Sequence, residues 1–177
     1  MEEIADVAGV TKRTVYNNYA DKDALFREVV AEVITYAEIF ARDLGGSLGQ
    51  ESTAADLRNG LQELGRRLAL AIIRPDVIAL RRLLTGEARL FPELAREYYS
   101  RAPARVIDAL AVEFTRLSQA GLLRVPDGRR AGEQFAYLVA GASLDRAILT
   151  GAIPSSRVVM AGVREGVETF LARYAAR

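Results

Sequence analysis

The 177-residue chain is predicted to be all-α, with a small helical head on a larger helical bundle. Three observations carry that prediction. Ala, Leu, Glu and Arg dominate, and all four favour helix. Apolar residues recur at spacings of three and four, and no convincing run alternates with period two. Gly, Pro and capping residues then cut the chain into helix-sized pieces. The sequence holds no low-complexity tract and no repeat of solenoid length.

The first short helix is expected over about 2–8, stopping at Gly9, and the second over about 12–19 behind Thr11 as N-cap. Asp21 can cap a long third helix over about 22–44. Its apolar residues Leu25, Val29, Val33, Tyr36, Phe40 and Leu44 are expected to form one stripe. The stretch Gly45-Gly46-Ser47-Leu48-Gly49-Gln50 reads as the most flexible part of the chain. Thr53 with Asp56 three residues on predicts a capping box for a helix over about 54–73. Pro75, Pro92, Pro103 and Pro126 sit at or just before new helices, where the missing N–H costs nothing. They predict helices over about 76–90, 93–101, 104–120 and 128–150. Pro154-Ser155-Ser156 opens the last, over about 156–175.

Composition removes several kinds of chemistry. There is no Cys and no His, which excludes disulfides, thiolate sites, His-ligated zinc and a Ser-His-Asp triad. Glu28 with Glu32, and Glu93 with Glu97, are carboxylates at i,i+4, but no third ligand clusters with either pair, so no metal and no cofactor are expected. Net charge is only +1, so nucleic-acid contact has to come from a local patch. Of the 24 cationic residues only Lys12 and Lys22 are lysine, and both lie in the head. The acidic start Met1-Glu2-Glu3 does not suit a secretory signal, and the apolar run Leu68–Ile73 is too short to span a bilayer. A cytoplasmic location and no membrane partner are expected.

The head carries the most specific signal. Two short helices meet at Gly9, which accepts a left-handed backbone. Ala5 and Ala8 are small enough for close approach, and Ile4, Val10 and Val15 can share a small core. Thr11, Lys12, Arg13, Thr14, Tyr16 and Asn17 crowd the N-terminal part of the second helix. In a helix-turn-helix that end meets base edges in the major groove. Arg13 suits guanine, Lys12 guanine or phosphate, and Asn17 adenine or phosphate. Thr14 and Tyr16 offer hydroxyls to phosphate oxygens, and Lys22 stands at the start of the third helix beside free backbone N–H groups.

This segment resembles the TetR/AcrR family of bacterial transcriptional regulators. The matching residues are Ile4, Ala5, Ala8, Gly9, Val10, Thr11, Thr14, Val15, Tyr16, Lys22, Asp23 and Leu25. Tyr19 stands where Phe is usual and Asn18 where His is commonest; both belong to the DNA-contacting set that the resemblance implies. The resemblance covers about 22 residues, and the stretch from Pro75 to Leu94 is also similar to the ligand domain of AcrR-like members. Family members carry a further helix ahead of this segment, so the expectation is either that the start is assigned too late or that the head is truncated. The loss would leave Ile4, Val7 and Val15 short of a partner surface.

The resemblance implies two units: a helix-turn-helix DNA-binding region with the long connecting helix over 1–44, and a ligand-binding and dimerisation domain over 45–177. Effector contacts are expected from Leu83, Leu84, Glu87, Phe91, Leu94, Tyr98, Phe114, Leu117 and Tyr137, although the same residues also read as ordinary core. Glu87 is the one charged candidate, and pairing with Arg82 or Arg89 is its alternative. The last two helices are rich in small residues, and a Gly inside a helix costs about 1 kcal/mol relative to Ala, so close backbone approach is expected. The implied dimer face is Leu138, Gly141, Leu144, Ile148, Val159, Gly162, Val163, Gly166, Val167 and Phe170; the alternative is that these residues complete the monomer core.

The function these features predict is a ligand-responsive, non-enzymatic transcriptional regulator, a repressor. It would bind a quasi-palindromic double-stranded operator as a homodimer and be released by a small apolar or amphipathic effector. The alternative is a dimeric helical ligand-binding protein with an incomplete head and no DNA-binding function.

Overall fold

The computed structural model describes residues 1–44, 48 and 53–176. Nine helices run through them: α1 (Glu2–Ala8), α2 (Lys12–Asn18), α3 (Lys22–Leu44), α4 (Ala54–Ile72), α5 (Pro75–Glu87), α6 (Pro92–Arg101), α7 (Pro103–Gln119), α8 (Gly128–Thr150) and α9 (Ser156–Tyr174). The only β-type pairing among the described residues is an isolated bridge between Leu123 and Ala175. Apart from Leu48, which is buried, the glycine-rich stretch Gly45–Gln50 lies outside the described residues.

The helix ends follow the local chemistry. Gly9 closes α1 with φ of 67°. The Thr11 hydroxyl accepts from the Thr14 backbone N–H at 3.1 Å and caps α2. Asp21 accepts from the Ala24 N–H at 2.7 Å and caps α3. Thr53 and Asp56 form the reciprocal capping box of α4. Pro75, Pro92 and Pro103 each occupy the first turn of a helix. Asp127, directly after Pro126, caps α8.

Two apolar clusters organise the body. The larger joins α4, α7, α8 and α9 around Leu61, Leu68, Phe114, Phe135, Val163 and Phe170. Phe114, Phe135 and Phe170 meet at centroid separations of 4.9–5.2 Å and are fully buried. Side chains of this kind contribute roughly 1.5–3 kcal/mol each through burial. The smaller cluster joins the first half of α3 to α5 and α6 through Phe26, Val30, Ile34, Leu80, Leu84, Leu94 and Tyr98. Within it Phe26 meets Phe91 edge-on at 5.4 Å.

The buried stripe of α3 differs from the expected one. Phe26, Val30, Ile34, Ala41 and Leu44 are buried, while Val29 and Tyr36 are exposed and Leu25, Val33 and Phe40 half-buried. The helix carries two apolar stripes one residue apart; one is buried in the core, and the other packs against it only in part.

Glycine packs α8 tightly between its neighbours. A Cβ on Gly166 would lie 2.6 Å from the Leu138 carbonyl oxygen, and one on Gly132 would lie 2.9 Å from the Ile107 carbonyl oxygen. The expected close approach therefore occurs inside the chain, α9 on α8 and α8 on α7. Val159, Val163, Val167 and Phe170, expected at a dimer face, are spent in the larger cluster. These four, with Gly166, follow the monomer-core alternative, because the inner face of α9 packs on α4 and α8.

Candidate nucleic-acid interface and ligand cavity

The head is built on two small buried side chains, Ala5 of α1 and Val15 of α2. Gly9 lets the chain reverse between them, and Val10 donates back to the Ala5 carbonyl at 3.0 Å. The expected small core is narrower than predicted. Ile4 and Val10 are about two-fifths exposed, and Val7 and Ala8 are exposed as well. On a helix, positions separated by three and four share a face. With Val15 turned inward, Lys12, Arg13, Tyr16 and Asn17 share an outward face of α2, and all four are exposed.

The sequence-predicted head residues divide by what already engages them. Thr11 caps α2, and its hydroxyl also lies 2.9 Å from that of Thr14, so both serve the helix start. Asn18 donates from Nδ2 to the Thr14 carbonyl at 2.8 Å and completes the last turn. Lys12 lies 3.5 Å from Glu2, an exposed pair that solvent and salt screen strongly and that contributes little. Arg13, Tyr16, Asn17, Tyr19 and Lys22 make no side-chain hydrogen bond or ion pair with another described residue. Arg13, Tyr16 and Asn17 thus present unengaged hydrogen-bonding groups on one helix face, and Lys22 opens the next helix.

In the body, a cavity of about 310 Å³ lies between the two apolar clusters. The second apolar stripe of α3 lines it with Val33, Tyr36, Ala37 and Phe40. Opposite stand Leu68 and Ile72 of α4, Arg74, Val77 and Arg81 around α5, Tyr98 and Tyr99 of α6, Val106 and Ile107 of α7, and Ala136, Tyr137, Gly141 and Leu144 of α8. Tyr36, Tyr99 and Tyr137 are more than half exposed and mark its mouth. The charges in the lining are Arg74, Arg81 and Asp43. Arg74 donates from Nη2 and Nε to Asp76 at 2.6 and 3.1 Å. This hydrogen-bonded guanidinium holds the Asp76 carboxyl below the usual carboxylate range. Arg81 donates from Nε to the Tyr98 hydroxyl at 3.1 Å.

Two of the expected effector contacts, Tyr98 and Tyr137, line this cavity. The others do not. Leu84 and Leu94 belong to the smaller cluster and Phe91 packs on it, Phe114 and Leu117 are fully buried in the larger one, and Leu83 is exposed. Glu87 lies outside the lining and pairs with neither Arg82 nor Arg89 among the described residues. Gly141 and Leu144, expected at the dimer face, also line the cavity. Leu138 is exposed, and Ile148 and Gly162 are half-buried. Sequence reasoning missed Tyr36, Phe40, Arg74, Arg81 and Tyr99 as cavity residues. The signal available was the second apolar stripe of α3, which packs only partly against the two clusters.

Glu93 and Glu97, the carboxylates at metal spacing, pair with Arg96 and Arg101. No group of three potential ligands gathers among the described residues. No described helix is long and apolar enough to cross a membrane.

Comparison with known proteins matches both the head and the body of the chain. Residues 1–29 match the family model described as bacterial regulatory proteins of the tetR family. Residues 59–176 match the C-terminal domain of the AefR-like transcriptional repressors. Among solved structures, one is a protein of Mesorhizobium loti described as a TetR-family transcriptional regulator. It is 29% identical with a TM-score of 0.84, over 98% of this chain and 85% of that one. The flavonoid-responsive regulator FrrA is 28% identical with a TM-score of 0.65, over 100% and 87% of the two chains. A TetR regulator from Agrobacterium tumefaciens shares the fold at a TM-score of 0.72 and 24% identity, over 97% and 81%. No curated protein matches the chain.

Proposed function

The chain belongs to the TetR family of DNA-binding transcriptional regulators, which are not enzymes, and from that premise we propose that it is an effector-released repressor acting as a homodimer. The observation that carries this reading is the double use of α3. The helix is 23 residues long, about 34 Å at 1.5 Å per residue. It begins directly after the α2 surface, and farther along it packs one stripe on the core and gives the other to the cavity. A ligand in the cavity therefore touches the helix from which the DNA-facing surface hangs.

Operator contact is assigned to Arg13 and Asn17 at base edges and to Lys12, Tyr16 and Lys22 at phosphates. Thr11, Thr14 and Asn18 serve by shaping α2. One such helix per chain reads one half-site, and a two-fold partner supplies the other about one helical turn away (~34–36 Å). The partner surface is assigned to the outward faces of α8 and α9. Leu138, Ala142 and Leu149 lie exposed along one and Val158 along the other, with half-buried Gly162 beside it. One of the compared structures is named as flavonoid-responsive, and the aromatic lining here suits a ring-bearing, amphipathic effector.

Release follows from coupled equilibria. The effector shifts the DNA-competent and incompetent states only by its difference in affinity for them. Sedimentation of the full chain on an operator duplex tests the stoichiometry: two chains per duplex are expected, and a single chain per specific site would overturn the dimer reading.

A further inference from the structure

We infer that the effector of this cavity is a planar aromatic anion whose carboxylate or phenolate is held by Arg81. This deepens the proposal above and rests on the cavity being the effector site. The lining brings together two cations and one carboxylate, and they are not equivalent. Arg74 is already engaged by both oxygens of Asp76, and its guanidinium lies 5.4 Å from the Tyr36 ring. Asp43 is exposed and lies seven residues beyond Tyr36 on α3, about 10 Å along the axis.

Arg81 is different. It is half-buried and pairs with no carboxylate among the described residues. Its one side-chain hydrogen bond goes from Nε to the buried Tyr98 hydroxyl. A guanidinium has five N–H donors in a fixed fork, so the Nη groups still have donors to give. Its guanidinium also lies 5.8 Å from the Tyr98 ring, and the only carboxylate in the cavity lining, among the described residues, is Asp43. A partly desolvated cation in such a wall favours a ligand that brings its own anion, and the bidentate fork suits a carboxylate.

The rest of the lining selects a flat ring system. Tyr36, Phe40, Tyr98, Tyr99 and Tyr137 supply aromatic faces, and the volume of about 310 Å³ sits at the small end of ligand pockets. The ligand is therefore small: a two-ring aromatic acid with its charge at the α5–α6 end and its rings toward the tyrosine mouth.

Calorimetric titration of the full chain with 2-naphthoate and its neutral isostere 2-naphthamide tests this. Wild type is expected to favour naphthoate at least about tenfold, the scale of a charge-assisted hydrogen bond. Arg81→Gln is expected to abolish that preference and leave naphthamide affinity within about twofold. Equal affinity for the two in wild type, or an undiminished preference in Arg81→Gln, overturns the assignment. The wild-type comparison stands by itself if Arg81→Gln loses helicity. Ala136→Phe, which fills the cavity, separates the two levels. If both compounds bind wild type equally and neither binds Ala136→Phe, the cavity reading survives and the anion assignment falls. If neither compound binds wild type, or both bind Ala136→Phe as well as wild type, the effector-site reading and the anion assignment fall together.

Discussion

Arg101, at the end of α6, donates from Nε to Glu38 of α3 at 2.9 Å while its Nη1 donates to Glu97 at 2.8 Å. One guanidinium thereby ties the helix that carries Tyr98 to the helix that carries the head. Isolated exposed ion pairs contribute little to stability. This contact joins two elements that line the cavity, and on the proposed function it would transmit the effector's presence to the head. Arg101→Ala is expected to leave the melting temperature nearly unchanged and operator affinity without effector within about twofold. The effector-induced fall in operator affinity is expected to shrink several-fold. Anisotropy titrations with and without effector read this, and an unaltered response would remove Arg101 from the coupling route.

The outward face of α2 predicts two different losses on DNA. Arg13→Ala removes the donor fork assigned to a base edge and is expected to cost about 1–3 kcal/mol at the preferred operator. That cost should shrink on operators altered at the contacted base pair. Tyr16→Ala is expected to weaken all sequences evenly, as a phosphate contact does. Val15, the buried residue of α2, is untouched, so helicity and oligomeric state should hold. Circular dichroism and sedimentation check that condition.

Glycines on α8 and α9 are expected to respond unequally to alanine. At Gly166 the new methyl meets the Leu138 backbone, which cannot step aside as a side chain does. Gly166→Ala is expected to destabilise by about 1–3 kcal/mol through overpacking. At Gly141 the tight neighbour is the exposed Tyr137 ring at 3.3 Å, which can rotate away. Gly141→Ala is expected to be neutral or to gain up to about 1 kcal/mol from helix propensity. Chemical denaturation of the two variants side by side gives the comparison.

The acid side of the stability curve follows from two carboxylates. Hydrogen bonds from Arg74 and Arg66 hold Asp76 and Glu63 below the usual carboxylate range. A depressed folded-state pKa stabilises the protein above the ordinary carboxylate range, and that contribution is lost as pH falls through the depressed value. Both side chains are about half exposed, so the effect is small. Asp76→Asn should flatten part of the fall in melting temperature below that range. It also frees Arg74 inside the cavity, so 2-naphthoate should bind this variant more tightly than wild type.

The fold was legible because its punctuation is local. Thr11, Asp21, Thr53 and the prolines at 75, 92 and 103 mark helix starts through their own backbone chemistry, and each mark holds. The candidate sites were less legible, because they depend on which face meets which neighbour. On α3, Val30 and Val29 are equally apolar, yet one is buried and the other exposed. Periodicity counts apolar residues without saying whether a core or a cavity receives them. Phe170 and Val163 read as an interface for the same reason: a stripe on α9 looks identical whether its own chain or a second copy covers it. Nothing in the sequence singles out Arg81; only the fold sets it beside Tyr98.

On the proposed function, α2 reads a DNA sequence and the cavity governs that reading. An anisotropy titration tests this most directly, with the full chain added to an operator duplex selected from a random pool, in moderate salt, with and without 2-naphthoate. Sequence-specific binding is expected, falling by about fivefold or more in Arg13→Ala and weakening when the cavity is filled. A folded protein that binds the cavity ligand yet shows the same affinity for selected and scrambled duplexes, or binding indifferent to Arg13, would contradict it.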